Sequence, residues 1–136
     1  MTKKIHTIPR NHVSDARGWL LKVISGDEEN LTASQGEVYV VFAEPGATRG
    51  NHFHRLADEW FTVIQGKCNV SLYDIEENQY LEMLLSADEP QTLYVPAGVA
   101  HAFRAPSDSP EGFTLVAYSS RQYDSSDTIA RTLISS

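Results

Sequence analysis

Gly46-Ala47-Thr48-Arg49-Gly50-Asn51-His52-Phe53-His54-Arg55-Leu56-Ala57-Asp58-Glu59 leads through residues 60–65 into Gly66. Residues two apart on a strand share a face, so His52 and His54 point one way and Phe53 the other. Glu59 lies an odd number of positions beyond His54, and a straight strand would send it to the opposite side. A turn over residues 55–58 removes that conflict. Glu59 can then open a returning strand with its carboxylate on the histidine side, above Phe61 and Val63.

Further along, Pro96-Ala97-Gly98-Val99-Ala100-His101 forms a second compact signal. Pro-x-Gly makes a tight corner, and His101 follows at the start of a new strand. Short apolar runs surround both motifs. Residues 37–43 (EVYVVFA) are β-branched and aromatic and end at Pro45-Gly46; residues 59–65 (EWFTVIQ) close at Gly66. Residues 67–74 alternate, with Cys68, Val70 and Leu72 on one face. Residues 91–95, 101–104 and 112–118 supply three more strands. Residues 76–85 read either as a helix or as a turn followed by a strand over 80–84, and residues 126–133 as a helical turn or a closing strand. Runs this short and this close leave no room for parallel crossovers, so the expected class is all-β, an antiparallel barrel-like sandwich.

The 136 residues suit a single domain over 1–136. Against 11 Lys+Arg stand 18 Asp+Glu, a net charge of −7, which argues against nucleic-acid binding because that needs a basic face. Hydrophobic residues at 41% place the chain among globular proteins rather than disordered ones. No apolar run approaches the ~20 residues that span a bilayer. The first residues have no continuous apolar core, so no leader and no membrane partner are expected, and the expected compartment is the cytoplasm. The one cysteine, Cys68, excludes an intrachain disulfide framework and reads as an inert core thiol.

His52, His54, Glu59 and His101, all near turns at one end of a barrel, form a candidate divalent-metal set. Imidazole suits Zn, Fe, Ni and Cu, and the added carboxylate admits Mn, so the set does not name its ion. Four protein ligands leave positions open to substrate or water in a five- or six-coordinate ion.

The first segment fits the first motif of the cupin superfamily, G-x5-H-x-H-x4-E-x6-G, at every position from Gly46 to Gly66. Pro96, Gly98 and His101 fit the second, P-x-G-x2-H, with Pro90 in place of its leading Gly and Ala105 in place of its trailing Asn. The resemblance implies a double-stranded β-helix, a small jelly-roll-like barrel. A narrower likeness runs through Asp15-Ala16-Arg17-Gly18, residues 36–39, Arg49-Gly50-Asn51-His52, residues 93–103 and residues 118–124. In these the chain resembles the cupins acting on deoxysugar nucleotides: dTDP-4-dehydrorhamnose 3,5-epimerases, dTDP-4-keto-6-deoxyglucose 3,4-ketoisomerases and the cupin domain of capsular polysaccharide enzymes. That likeness implies His52 as catalytic base and a late tyrosine as acid, Tyr123 first and Tyr118 next. It further implies Arg17 as a grip on nucleotide phosphates across a homodimer boundary, and Arg49 at the substrate pocket. Epimerases typically lack the full metal set kept here, which favours the metal-binding capsular type or an unassigned cousin.

The implied chemistry is proton transfer beside the ketone of a nucleotide-linked 4-keto-6-deoxyhexose, giving an epimer or moving the ketone. If His52 binds an ion its basicity is spent there; if the site is metal-free, His52 is the base. An anionic substrate is repelled at long range by a chain of charge −7, so local arginines must hold it: Arg17, Arg49 and Arg104, with Arg55 and Arg121 reading as surface residues. Tyr39, Phe53 and Trp60 could stack on a base, though core packing is the commoner fate of such residues. A metal-dependent cupin dioxygenase and a non-catalytic small-molecule-binding cupin are the alternatives, since a fold does not determine its function.

Overall fold

Alternating apolar and polar positions become eleven strands in the computed structural model, which describes residues 3–135. They are β1 (His6–Pro9), β2 (His12–Asp15), β3 (Gly18–Leu21), β4 (Glu37–Ala43), β5 (Thr48–Phe53), β6 (Glu59–Asp74), β7 (Gln79–Ser86), β8 (Gln91–Val95), β9 (Val99–Arg104), β10 (Phe113–Ser119) and β11 (Ile129–Ala130). The single helical feature among the described residues is a 3-10 turn, Ser125–Asp127. None of these elements is a helix long and apolar enough to cross a membrane.

The long strand β6 organises the barrel. Its first half pairs antiparallel with β8 and β10, and its second half with β7 and β9. One layer therefore runs β4-β10-β6-β8-β1 and the facing layer β7-β6-β9-β5-β11. Gly66, expected to end a strand, instead lets β6 bend from one layer into the other. It sits at φ +78, where a Cβ would collide with the Gly112 carbonyl oxygen, so only glycine serves there. Between the layers lies the core, built on Phe61, Val63, Leu72, Leu93, Phe103, Phe113 and Leu115. Cys68 is fully buried among these residues, and burial pushes its thiol up to about 12.

Residues 76–85 resolve into a turn and β7, which pairs with β6 over its whole length. Their helix-forming side chains yield to that edge pairing. Residues 126–133 hold both readings in sequence, the 3-10 turn and then β11 against β5. The strands β1–β3 carry no clear periodicity. β1 takes its place only through its register with β8, while β2 and β3 form a separate hairpin. Arg10 follows β1 and donates to the Thr92 hydroxyl and to the Glu28 carboxylate, 2.5 Å away, closing the N-terminal segment over the outer face of β6 and β8.

Candidate active site

Local backbone irregularity aims the histidines. Strand β5 bulges between Gly50 and His52, with Gly50 at φ +91 and Asn51 at φ +62. At Gly50 a Cβ would stand 2.8 Å from the His101 carbonyl oxygen, so glycine admits the close approach of β9. Past the bulge His52 pairs with His101, and their ring centroids are 4.8 Å apart. His54 sits just beyond β5, its ring 5.1 Å from His52 and 5.7 Å from His101. The three histidines offer ligand atoms that all lie within 4.8 Å of one another. The His54 carbonyl accepts the Gly98 N–H at 2.7 Å, which ties the two sequence motifs together.

Hydrogen bonding assigns the tautomers. His54 Nδ1 lies 2.9 Å from the Asp127 carbonyl oxygen and His101 Nδ1 3.2 Å from the Val99 carbonyl oxygen. A carbonyl only accepts, so each Nδ1 carries the hydrogen and each neutral ring presents an Nε2 lone pair. Those Nε2 atoms lie 3.0 Å and 3.4 Å from Glu59 Oε1. This oxygen is buried and receives no hydrogen bond, while Oε2 accepts from the Tyr39 hydroxyl at 2.5 Å. Lone pairs from two rings thus confront a carboxylate oxygen. One positive charge among them, a proton on His54 or a divalent cation, relieves the repulsion. The donor set fits a cation, since metal-binding histidines characteristically donate their other N–H to a carbonyl.

Burial pushes the His52 imidazole down to about 4, helped by His101 and His54, and leaves it neutral at pH 7. Burial likewise lowers His101. At His54 burial acts in the same direction, but the Glu59 carboxylate outweighs it and the net shift is upward. Glu59 is held below the usual carboxylate range: burial opposes this, but His54, His101 and the Tyr39 hydroxyl prevail. The Tyr39 phenol is raised by burial and by Glu59 and stays protonated.

His52, His54, Glu59 and Tyr39 line a cavity of about 370 Å³ together with Glu37, Ser119, Arg121, Gln122, Tyr123, Asp124 and Asp127, while His101 is buried and does not line it. That volume lies within the ~300–1,000 Å³ usual for small-molecule sites. Tyr123 faces the cavity and is 73% exposed. Tyr118 does not face it. In the β10–β6 register Ser119 pairs with Glu59 and Tyr118 with Trp60, so alternation turns Tyr118 to the outer face, its ring 5.7 Å from Trp60.

The expected arginines also fall outside the cavity. Arg17 lies at the tip of the β2–β3 hairpin, paired with Asp15 and exposed. Arg49 is exposed opposite Phe103, and Arg104 donates to the Ser135 carbonyl. Arg121, which reads as a surface residue, is the cavity's one Lys or Arg among the described residues. Of the candidate stacking residues, Trp60 is buried against Tyr94, and Tyr39 reaches the cavity.

Sequence reading missed Asp127, which holds the turn between β5 and β6. Its carboxylate accepts the backbone N–H groups of Arg55 at 2.8 Å, Leu56 at 3.1 Å and Ala57 at 3.3 Å. Asn51 fixes the end of the same segment, bonding Leu133 and Ile134. No local signal reveals either role.

The profile of the polysaccharide biosynthesis C-terminal domain family matches residues 13–129. The chain belongs to this family. Among relatives of this polysaccharide biosynthesis domain, the spore coat polysaccharide biosynthesis protein SpsL of Bacillus subtilis is 28% identical over 116 residues, 82% of this chain and 75% of SpsL. QdtA, a sugar 3,4-ketoisomerase from Thermoanaerobacterium thermosaccharolyticum solved with TDP, superposes at a TM-score of 0.76 with 22% identity, covering 98% of this chain and 91% of QdtA. ChmJ, a 3'-monoepimerase from Streptomyces bikiniensis solved with dTDP-quinovose, superposes at 0.80 with 19% identity, covering 93% of this chain and 68% of ChmJ. This chain, QdtA and ChmJ share the double-stranded β-helix of the cupins.

Proposed function

We propose that this domain is an isomerase of a nucleotide-linked 4-keto-6-deoxyhexose, an epimerase or a 3,4-ketoisomerase serving surface-polysaccharide or deoxysugar synthesis. One observation carries the reading: a neutral, desolvated imidazole, His52, and an exposed phenol, Tyr123, face the same small cavity. Family membership supports it, as do the activities named for QdtA and ChmJ.

A ketone acidifies the C–H bonds on its neighbouring carbons. His52 takes such a proton, and the electron pair moves to the carbonyl oxygen as an enolate. Tyr123 returns a proton to carbon from the opposite ring face, inverting that centre, and is reprotonated from solvent while His52 releases its proton. If the proton first taken came from C3 and the enolate is protonated on its C4 oxygen, the enediol then loses the proton of its C3 hydroxyl while Tyr123 or His52 delivers one to C4, and the ketone moves from C4 to C3. The enolate needs positive charge or donors nearby, and His54, which Glu59 favours in its charged form, would supply charge rather than a donor, since its two ring nitrogens already face the Asp127 carbonyl and Glu59.

We propose further that His52, His54, Glu59 and His101 hold a divalent ion, Zn, Mn, Fe or Ni. The unsatisfied Glu59 oxygen and the two Nε2 lone pairs beside it support this. When bound, such an ion supplies positive charge to a developing enolate. His52 and Glu59 are then ligands, and proton transfer falls to Tyr123.

Incubation with a dTDP- or UDP-linked 4-keto-6-deoxysugar in deuterated water, read by NMR, tests the reaction. Deuterium is expected at C3 or C5 and is lost in His52→Ala; equal labelling by the variant removes His52 from the chemistry. Elemental analysis of purified protein tests the ion. Stoichiometric iron with oxygen uptake would favour a dioxygenase instead.

A further inference from the structure

Beside the cavity of the histidines lies a second space, a polar groove of about 700 Å³ that includes Ser34, Gln35, Ser120 and Ser125. Residues 121–124 line both spaces and so mark the boundary between them. The charges here are unevenly distributed. Glu37, Glu59, Asp124 and Asp127 put four carboxylates around the inner cavity, and among the described residues Arg121 is the one Lys or Arg lining either space. Among the described residues its guanidinium enters no ion pair and no side-chain hydrogen bond, while its backbone is held by the Ser119 hydroxyl, which donates to the Arg121 carbonyl at 2.8 Å. The backbone is therefore anchored. Hydrogen bonds from Ser126 lower the Asp124 carboxyl and the Arg121 charge helps through space, but the guanidinium keeps its N–H groups for a ligand.

We infer that Arg121 grips the diphosphate of the substrate and so orients it, sugar inward and nucleoside outward along the groove. The inference rests on the isomerase reading and adds the residue and direction of binding to it. A diphosphate driven into the inner cavity would meet Glu37, Glu59 and Asp127, which pair with no Lys or Arg among the described residues. At residues 121–124 the one carboxylate, Asp124, accepts from Ser126 and is accompanied by a guanidinium able to donate two parallel hydrogen bonds. The inner cavity, about 370 Å³, is left to the sugar ring, and the larger open groove to the nucleoside. Hydroxyl and amide side chains line that groove. They suit hydrogen bonding to a ribose and a pyrimidine edge.

Calorimetric titration of wild type, Arg121→Ala and Arg121→Lys with dTDP, UDP and thymidine tests this, with Lys67→Ala, on the exposed second half of β6, as the charge-matched control. Loss of a charge-assisted bidentate contact is expected to weaken nucleoside diphosphate binding roughly 10- to 100-fold in Arg121→Ala, with partial recovery in Arg121→Lys. Thymidine affinity should not change, since it has no phosphate, and KM for the keto-sugar nucleotide should rise far more than kcat falls. Unchanged diphosphate affinity in Arg121→Ala, while wild type still exchanges deuterium into substrate, overturns this inference alone. An equal loss of thymidine binding also overturns it, because the role would then be structural. A wild-type protein that neither binds nucleotide nor exchanges deuterium overturns the isomerase reading and this inference with it.

Discussion

Replacing Asp127 with alanine should loosen the turn that carries His54 and leads to Glu59. The carboxylate is buried and accepts three consecutive backbone N–H groups, two at 2.8 and 3.1 Å and a longer one at 3.3 Å. A hydrogen bond to a charged acceptor contributes about 1.5–3 kcal/mol when its loss leaves the partner buried and unpaired. Arg55 and Leu56 are exposed, so water can replace part of what their N–H groups lose, whereas Ala57 is buried. The net cost should therefore be about 2–4 kcal/mol rather than the full sum. With a urea slope of about 2 kcal/mol/M, the middle of the range for small proteins, the unfolding midpoint should fall by about 1–2 M. Asp127→Asn keeps one acceptor and should lose roughly half as much. The backbone carbonyl that orients His54 survives both changes, but its position depends on the same turn. Isotope exchange measured below the unfolding transition should therefore fall as well. A midpoint for Asp127→Ala indistinguishable from wild type would refute the claim that this carboxylate holds the site together.

Acid sensitivity should trace in part to Glu28. Burial would raise its carboxyl, but the Ser25 N–H, the Arg10 guanidinium and the Gly26 N–H outweigh it and hold it at about 2. A folded value below the unfolded 4.5 means stability fully present above that pH and lost as pH falls toward 2, on the order of 3 kcal/mol in all. Urea midpoints at pH 7 and pH 3 should differ markedly less in Glu28→Gln than in wild type, and equal pH dependence would remove Glu28 from the account. Cys68 should resist a thiol reagent at pH 8 in the native protein and react at once in denaturant, since it is fully buried and its thiol is pushed up to about 12. Fast labelling of the native state would show that the barrel opens there.

Much of the fold was legible because strand periodicity is local. Alternation along residues 67–74 and the β-branched run at 37–43 both became strands, and the shared face of His52 and His54 survived into three dimensions. Gly66 misled because its turn chemistry is the same whether a strand ends or bends. The nearby Gly112 backbone makes it a bend. The hairpin β2–β3 was illegible because four-residue strands leave too few positions to show a period.

Sequence alone determined the all-β character of this domain and the residue types and spacing inside each of its two histidine motifs, since each depends on residues within a few positions of one another. Tertiary structure decided which distant groups meet. Asp127 reaches back over 70 residues to cap the His54 turn, and the β10 register turns Ser119 inward and Tyr118 outward. Folding also leaves Arg121, rather than Arg17, Arg49 or Arg104, facing the cavity. Such choices depend on strand register and chain reversal, where a shift of one residue exchanges the two faces, and no local pattern records it.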